Sequence, residues 1–496
     1  MTNTITESAN NQSYNLEEWK GGYESQPNEY EYEIQDIEGK IPPELVGTLF
    51  RNGPGLLDIG GTSIHHPFDG DGMISAFSFK DGKAYFRNRF VRTEAYVQEK
   101  AAGEILYRGV FGTQKPGGWL NNVFDLKLKN IANTSVIYWG GKLLALWEAA
   151  EPHRLDPATL ETIGIDYLDG VLEPGDAFAA HPWIDPSCEM DGGAPCLVNF
   201  RVDPGLSSKI TIFEFAPDGN LLRRHSHSIP GFSFIHDFII TPNHCIFFQN
   251  TVNFNPFPFL FGVRGAGECV QFQPDKPTTI VLIPRDPQNI EVKTFSVESG
   301  FVFHHANAFE TNGQVCIDSI AYQTLPQVQP NSNYKEVNFD SLDPGQLWRF
   351  TLNLKEKDGT VERQLLESRC CEFPTHNPNY VGRDYRYLFI GAALNDTGRN
   401  APLQGILKLD LQTKERKLHS FAPSGYVSEP IFVTKPNTTE EDAGWVLTLI
   451  YDGSTHRSTL AILDGQNIAG DAIALLHLKH HIPYGLHGSW CDEVFI

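Results

Sequence analysis

The chain has 496 residues, 41% of them hydrophobic, with a formal net charge of −22, which suits a globular protein and excludes nucleic acid as a partner. No apolar run approaches the roughly 18 residues that cross a bilayer, so any membrane contact has to be apolar and peripheral. The eight cysteines form no CxxC pair, and Met1–Ser8 has neither a basic start nor an apolar core, which points to a cytoplasmic setting with free thiols.

Residues 1–30 are polar and rich in Asn, Ser and Glu, and they read as an arm; residues 31–496 read as a single domain. From Ile41 onward the chain consists of short β-prone runs punctuated by Gly, Pro, Asn and Asp. Ala84–Val91, Ile210–Phe215, Leu347–Leu352, Ile406–Leu411 and Leu460–Asp464 are examples. Later runs recur at intervals of roughly 55 to 65 residues, as propeller blades with long insertions would. The fold class is therefore all-β, although the repeat is too weak to count blades. One helix is predicted at Thr93–Gly103, with a threonine cap and a glycine stop. Phe68–Met73 reads as a tight turn in which Gly70 and Gly72 supply φ > 0 and the aspartates cap the local backbone. It lacks the later ligands of a calcium loop.

Two adjacent imidazoles, His304 and His305, interrupt the apolar run Gly300–Glu310. In a strand they face opposite ways, so only one can serve a given site. A single such histidine is more often a satisfied core residue. Three further segments repeat the pattern, around His181, His236 and His487, at separations of 55, 68 and 183 residues. On a propeller each would come from a different blade and point at the axis. Four imidazoles without a ligating carboxylate suit Fe(II), Zn(II), Cu(II) or Ni(II), and the residues do not choose among them. His225, His227, His376, His419, His456 and His480 lie in polar contexts and read as solvated or loop residues. Metal-bound imidazoles need an acceptor behind the ring. Glu148, Glu372 and Glu429 sit in apolar or tight contexts that fit that role, although each alone reads as an ordinary surface acid. Thr134, Trp147 and Tyr322 are neighbours of these segments whose default role is packing.

Arg51-Asn52-Gly53-Pro54-Gly55, His66–Met73, Phe234–Phe238, Phe303–Asn307, Ser428-Glu429-Pro430 and Leu486–Trp490 together resemble, in order, the signature segments of the carotenoid cleavage oxygenases. The likeness runs from about residue 30 to 490 and is greatest to the family's cyanobacterial apocarotenoid 15,15'-oxygenases. It implies a seven-bladed β-propeller with long loops and a few short helices capping an axial Fe(II). His181, His236, His304 and His487 would hold the iron, and Glu148, Glu372 and Glu429 would hold His236, His304 and His487. His305 would not be a ligand. Dioxygen would be the co-substrate, with the Thr134 methyl crowding one open position. Phe68, Trp147, Phe303 and Tyr322 would line a rigid apolar tunnel, and the substrate would be an apocarotenal or apocarotenol cleaved to retinal and a second aldehyde. A stilbene-cleaving oxygenase is the alternative within the family, disfavoured by tryptophan rather than lysine at 147; a carotenoid carrier that does not cleave is the alternative outside catalysis. Phe254, Phe257, Phe259 and Phe261, with Val110-Phe111 and Trp119-Leu120, either form a patch that dips into a membrane leaflet or fill a gap between blades.

Overall fold

The computed structural model describes residues 14–289, 291–326, 333–355 and 361–496. Their strands form seven antiparallel sheets, the blades of a propeller, plus two small two-stranded ribbons. Five blades are four-stranded and run in simple chain order, opening on Ser135–Trp139, Trp183–Cys188, Ile239–Ile240, Phe301–Thr311 and Cys371–Thr375. Residues of most of these opening strands line the axial cavity, so each is the innermost strand of its blade.

The remaining two blades join the ends of the chain. Gly488–Cys491 pairs with Gly47–Arg51 in one, and Ile37–Gly39 pairs with Ala474–His477 in the other. Closing the ring removes the sheet edge that an open array would expose. Strand burial follows the same geometry. Lys83–Phe90 alternates, burying Ala84, Phe86, Asn88 and Phe90. Asp71–Lys80 lies inside its blade and is buried on both faces except at its last residue. Every gap between neighbouring blades holds its own apolar cluster. The closing gap packs Leu49, Phe77 and Phe86 against Trp445, Leu460 and Leu476, and the blades opening on Ile239–Ile240 and Phe301–Thr311 meet through Ile246, Leu282, Ala308 and Ile317.

The arm is docked over its described part. Asn15 caps the helix Leu16–Gly21, and Trp19 is buried with Tyr426 and Tyr451. The predicted helix forms at Glu94–Ala102, with Thr93 accepting from Tyr96 N and Gly103 left-handed at φ 69°.

Two expectations are corrected. Gly70 is extended at φ −72°, and neither it nor Gly72 has positive φ. These positions need glycine because a Cβ would meet Leu56 O at 2.6 Å and Ala132 O at 2.3 Å. The aspartates also bond far from their own turn: Asp69 accepts from Phe111 N and Thr113 N, and Asp71 accepts from Lys129. His376 and His480 lie in loops, as expected, but are not solvated: they are buried against Tyr385 and Tyr30 respectively.

Candidate metal centre

Four blades deliver one imidazole each to the axis. His181 and His236 precede the inner strands Trp183–Cys188 and Ile239–Ile240, His487 precedes Gly488–Cys491, and His304 lies within Phe301–Thr311. That last strand carries a bulge, with Val302 opposite Ala321 but His305 opposite Ser319. The extra residue re-aims the backbone at His304. His305 turns away from the cluster, with Nδ1 2.7 Å from Ser319 Oγ and its ring against Phe248.

One ring nitrogen from each of His181, His236, His304 and His487 lies within 4.8 Å of the others. Behind three of them stands a carboxylate. Glu148 is 2.7 Å from His236 Nδ1, Glu372 is 2.6 Å from His304 Nδ1, and Glu429 is 2.8 Å from His487 Nδ1. Those contacts place the imidazole proton on Nδ1 and leave each Nε2 as a bare lone pair. His181 Nε2 and His236 Nε2 are 2.9 Å apart, and His236 Nε2 and His304 Nε2 are 3.3 Å apart. No carboxylate fixes the His181 tautomer, so its ring can donate across the 2.9 Å contact, but the bare lone pairs of His236 and His304 at 3.3 Å repel unless a cation lies between them. Nitrogens bound at about 2.1 Å and at right angles to one ion would sit about 3.0 Å apart, so the donor set fits a divalent metal.

Electrostatics favour charged holders and, at His181 and His487, neutral imidazoles. Burial, reinforced by the neighbouring histidines, holds His181 well below the ordinary histidine value, and burial also lowers His487. Burial opposes protonation of His304, but Glu372 outweighs it and raises this histidine. All three glutamates are held below their ordinary value: burial pushes each up, and its histidine partner, with its other donors and, at Glu429, Arg51, more than compensates.

The remaining oxygens of the glutamates are also engaged. Thr134 Oγ donates to Glu148 at 3.1 Å, the Tyr322 hydroxyl donates to Glu372 at 2.6 Å, and Arg51 donates to Glu429 at 2.6 Å. The Thr134 carbonyl also accepts from His487 N at 3.1 Å. Phe303 meets the His236 ring edge-on at 5.6 Å and Tyr322 at 5.9 Å. Trp147 is buried with Ile131 and Ala150, whereas Phe68 is partly exposed and packs on His66 and Phe111. On the axis beside the histidines lies a cavity of about 200 Å³, bordered by Asp237, Thr375 and Ser489. Burial raises Asp237 to about 6.

A family model described as RPE65, retinal pigment epithelial membrane protein, matches residues 23–492. The chain belongs to the carotenoid cleavage oxygenase family. Within that family it is 56% identical over 493 residues to apocarotenoid-15,15'-oxygenase of Synechocystis sp., spanning 99% of this chain and 100% of that protein. Resveratrol cleavage oxygenase 1 of Aspergillus fumigatus is 30% identical over 92% of each chain. Among solved structures of the family, cobalt-substituted Synechocystis ACO superposes with a TM-score of 0.95 at 57% identity, covering 97% of this chain and 99% of that one.

Arg51 stands in the motif Arg51-Asn52-Gly53-Pro54-Gly55, which by itself assigns it no role. Its signal was a cation closing the otherwise uncharged run Gly47–Arg51, which calls for a buried acid. The phenylalanine loop is divided. Phe257 and Phe261 are exposed, Phe254 stacks on Phe232, and Phe259 is buried beneath the Arg108 guanidinium. The exposed pair continues into Trp119, Leu120, Phe124, Leu126 and Val263, with Phe124 6.2 Å from Phe261. Among the described residues no helix is long and apolar enough to cross a membrane.

Proposed function

We propose that this protein is a non-haem Fe(II) dioxygenase, with residues 31–496 as its catalytic domain, that cleaves the 15,15' double bond of apocarotenals or apocarotenols to retinal and a second aldehyde. The observation that carries this reading is the convergence of four imidazoles with a carboxylate behind three of them. Near-full-length similarity to an apocarotenoid-15,15'-oxygenase supports the substrate class.

His181, His236, His304 and His487 would hold the iron through Nε2, and Glu148, Glu372 and Glu429 fix the tautomer and orientation of three rings. Bound there, Fe(II) would supply the uptake and activation of dioxygen. Four neutral donors leave the ion its full charge. Adding the two atoms of dioxygen across one carbon–carbon double bond gives two aldehydes with no net proton transfer, so no acid or base is required. The protein's tasks are to place the bond beside the metal and to exclude water. Phe303, Trp147, Phe68 and Tyr322 are suited to form that wall, and because Tyr322 commits its hydroxyl to Glu372 it presents mainly its ring. The protein would be cytoplasmic, with the exposed apolar patch resting peripherally on one membrane leaflet, where such a substrate resides.

The test is competitive turnover. Iron-loaded protein given β-apo-8'-carotenal and resveratrol in one aerobic vessel should consume the polyene and form retinal; preferential consumption of resveratrol would move the assignment to stilbene cleavage, and consumption of neither would favour a carrier.

A further inference from the structure

The three glutamates differ in how their second oxygen is satisfied. Glu148 receives a threonine hydroxyl, Glu372 a tyrosine hydroxyl, and Glu429 a guanidinium. Arg51 is 4% exposed and lies on the strand Gly47–Arg51, opposite Gly488 in register. It donates to Glu429 Oε2 at 2.6 Å and from Nη2 to Leu486 O at 3.0 Å, so it grips both the carboxylate behind His487 and the residue just before that histidine. Gly488 N donates to the same oxygen at 2.9 Å. The fit is tight, because a Cβ on Gly488 would stand 2.6 Å from Arg51 Cδ.

Charge gives this contact a further consequence. Three ionised glutamates contribute three negative charges around four neutral imidazoles, the Asp237 carboxyl borders the same cavity, and a divalent ion returns two. A guanidinium cannot be deprotonated in a protein, so Arg51 supplies one further positive charge against these carboxylates. A carboxylate neutralised in this way withdraws less from the imidazole N–H, which makes His487 a weaker donor than His236 or His304, whose holders face only neutral donors.

We propose that Arg51 is a positioning residue that offsets one negative charge of the metal centre and, acting through Glu429 and His487, favours the ferrous state over the ferric. This inference rests on the iron reading above. Removing the cation would leave the centre one charge more negative, which stabilises the higher oxidation state. Lysine would restore the charge without reproducing the guanidinium's two-sided grip.

The experiment loads unmodified protein, Arg51→Lys and Arg51→Met anaerobically with Fe(II), measures iron content, admits air and follows loss of chelatable Fe(II) without substrate. Circular dichroism of each metal-free protein checks folding, and Arg51→Gln replaces Arg51→Met by the same criteria if the latter does not fold. The expected result is oxidation about tenfold faster in Arg51→Met and within about twofold of unmodified protein in Arg51→Lys. Equal rates in unmodified protein and Arg51→Met, or an Arg51→Lys rate matching Arg51→Met, would overturn the charge role while leaving the iron reading intact. Failure of unmodified protein to bind iron would overturn the reading beneath both.

Discussion

Glu372 accepts from His304 Nδ1 and from the Tyr322 hydroxyl, both at 2.6 Å, so one carboxylate couples a candidate ligand to a residue of the aromatic wall. Glu372→Gln should weaken metal binding by about 10–100-fold, because the amide is a poorer acceptor and can present its NH₂ to the ring. Tyr322→Phe removes one neutral donor and should cost about fivefold, the effect of a single hydrogen bond. Competition against a calibrated chelator measures both; equal losses would show that the carboxylate is held by its surroundings rather than by these partners.

Metal uptake should depend on pH. Burial disfavours the His304 proton, but Glu372 outweighs it, so in the metal-free protein that proton is held more tightly than on a free imidazole. A proton therefore competes with the ion, and affinity should fall as pH drops through neutrality, with proton release on binding. In Glu372→Gln the fall should move to lower pH. Calorimetry in buffers of differing ionisation enthalpy reads both effects.

A separate acid sensitivity is built in away from the metal. Burial lowers His376 to about 4, against a reference of 6.5. Because the folded value is depressed, its contribution to stability is fully present above about 6.5 and is lost as pH falls toward 4, a difference of about 3 kcal/mol. His376→Gln, which cannot protonate, should flatten melting temperature against pH across that window. An unchanged profile would assign the acid loss to other buried histidines, such as His153.

The exposed apolar patch predicts membrane association. Phe124 and Phe257 are 70% and 64% exposed and come from distant segments. Replacing both with serine should reduce sedimentation with neutral liposomes several-fold while leaving the melting temperature nearly unchanged, since neither side chain is buried. Undiminished sedimentation would remove the patch from the account.

The four histidines and three glutamates were legible in the sequence because each is a polar residue in an apolar or tightly turned context, where it needs a partner. Strand patterning likewise gave the all-β class, and the family resemblance supplied the blade count and the pairing of glutamates with histidines. What escaped depends on contacts between distant segments. Gly70 and Gly72 looked like turn glycines, but their need for glycine comes from the carbonyls of Leu56 and Ala132. Local polarity hid the burial of His376, and no local pattern joins Phe124 to Phe261. Strand alternation separated His304 from His305 without revealing the bulge that aims the first of them. Arg51 stood in a recognisable motif, yet its partner lies 378 residues away.

The most direct test of the central claim is retinal formation from β-apo-8'-carotenal under air, followed by chromatography for iron-loaded protein, metal-free protein and His304→Ala. Retinal from the iron-loaded, unmodified protein alone is the predicted result. Equal retinal from metal-free protein or from His304→Ala would contradict a four-histidine iron centre as the seat of the reaction.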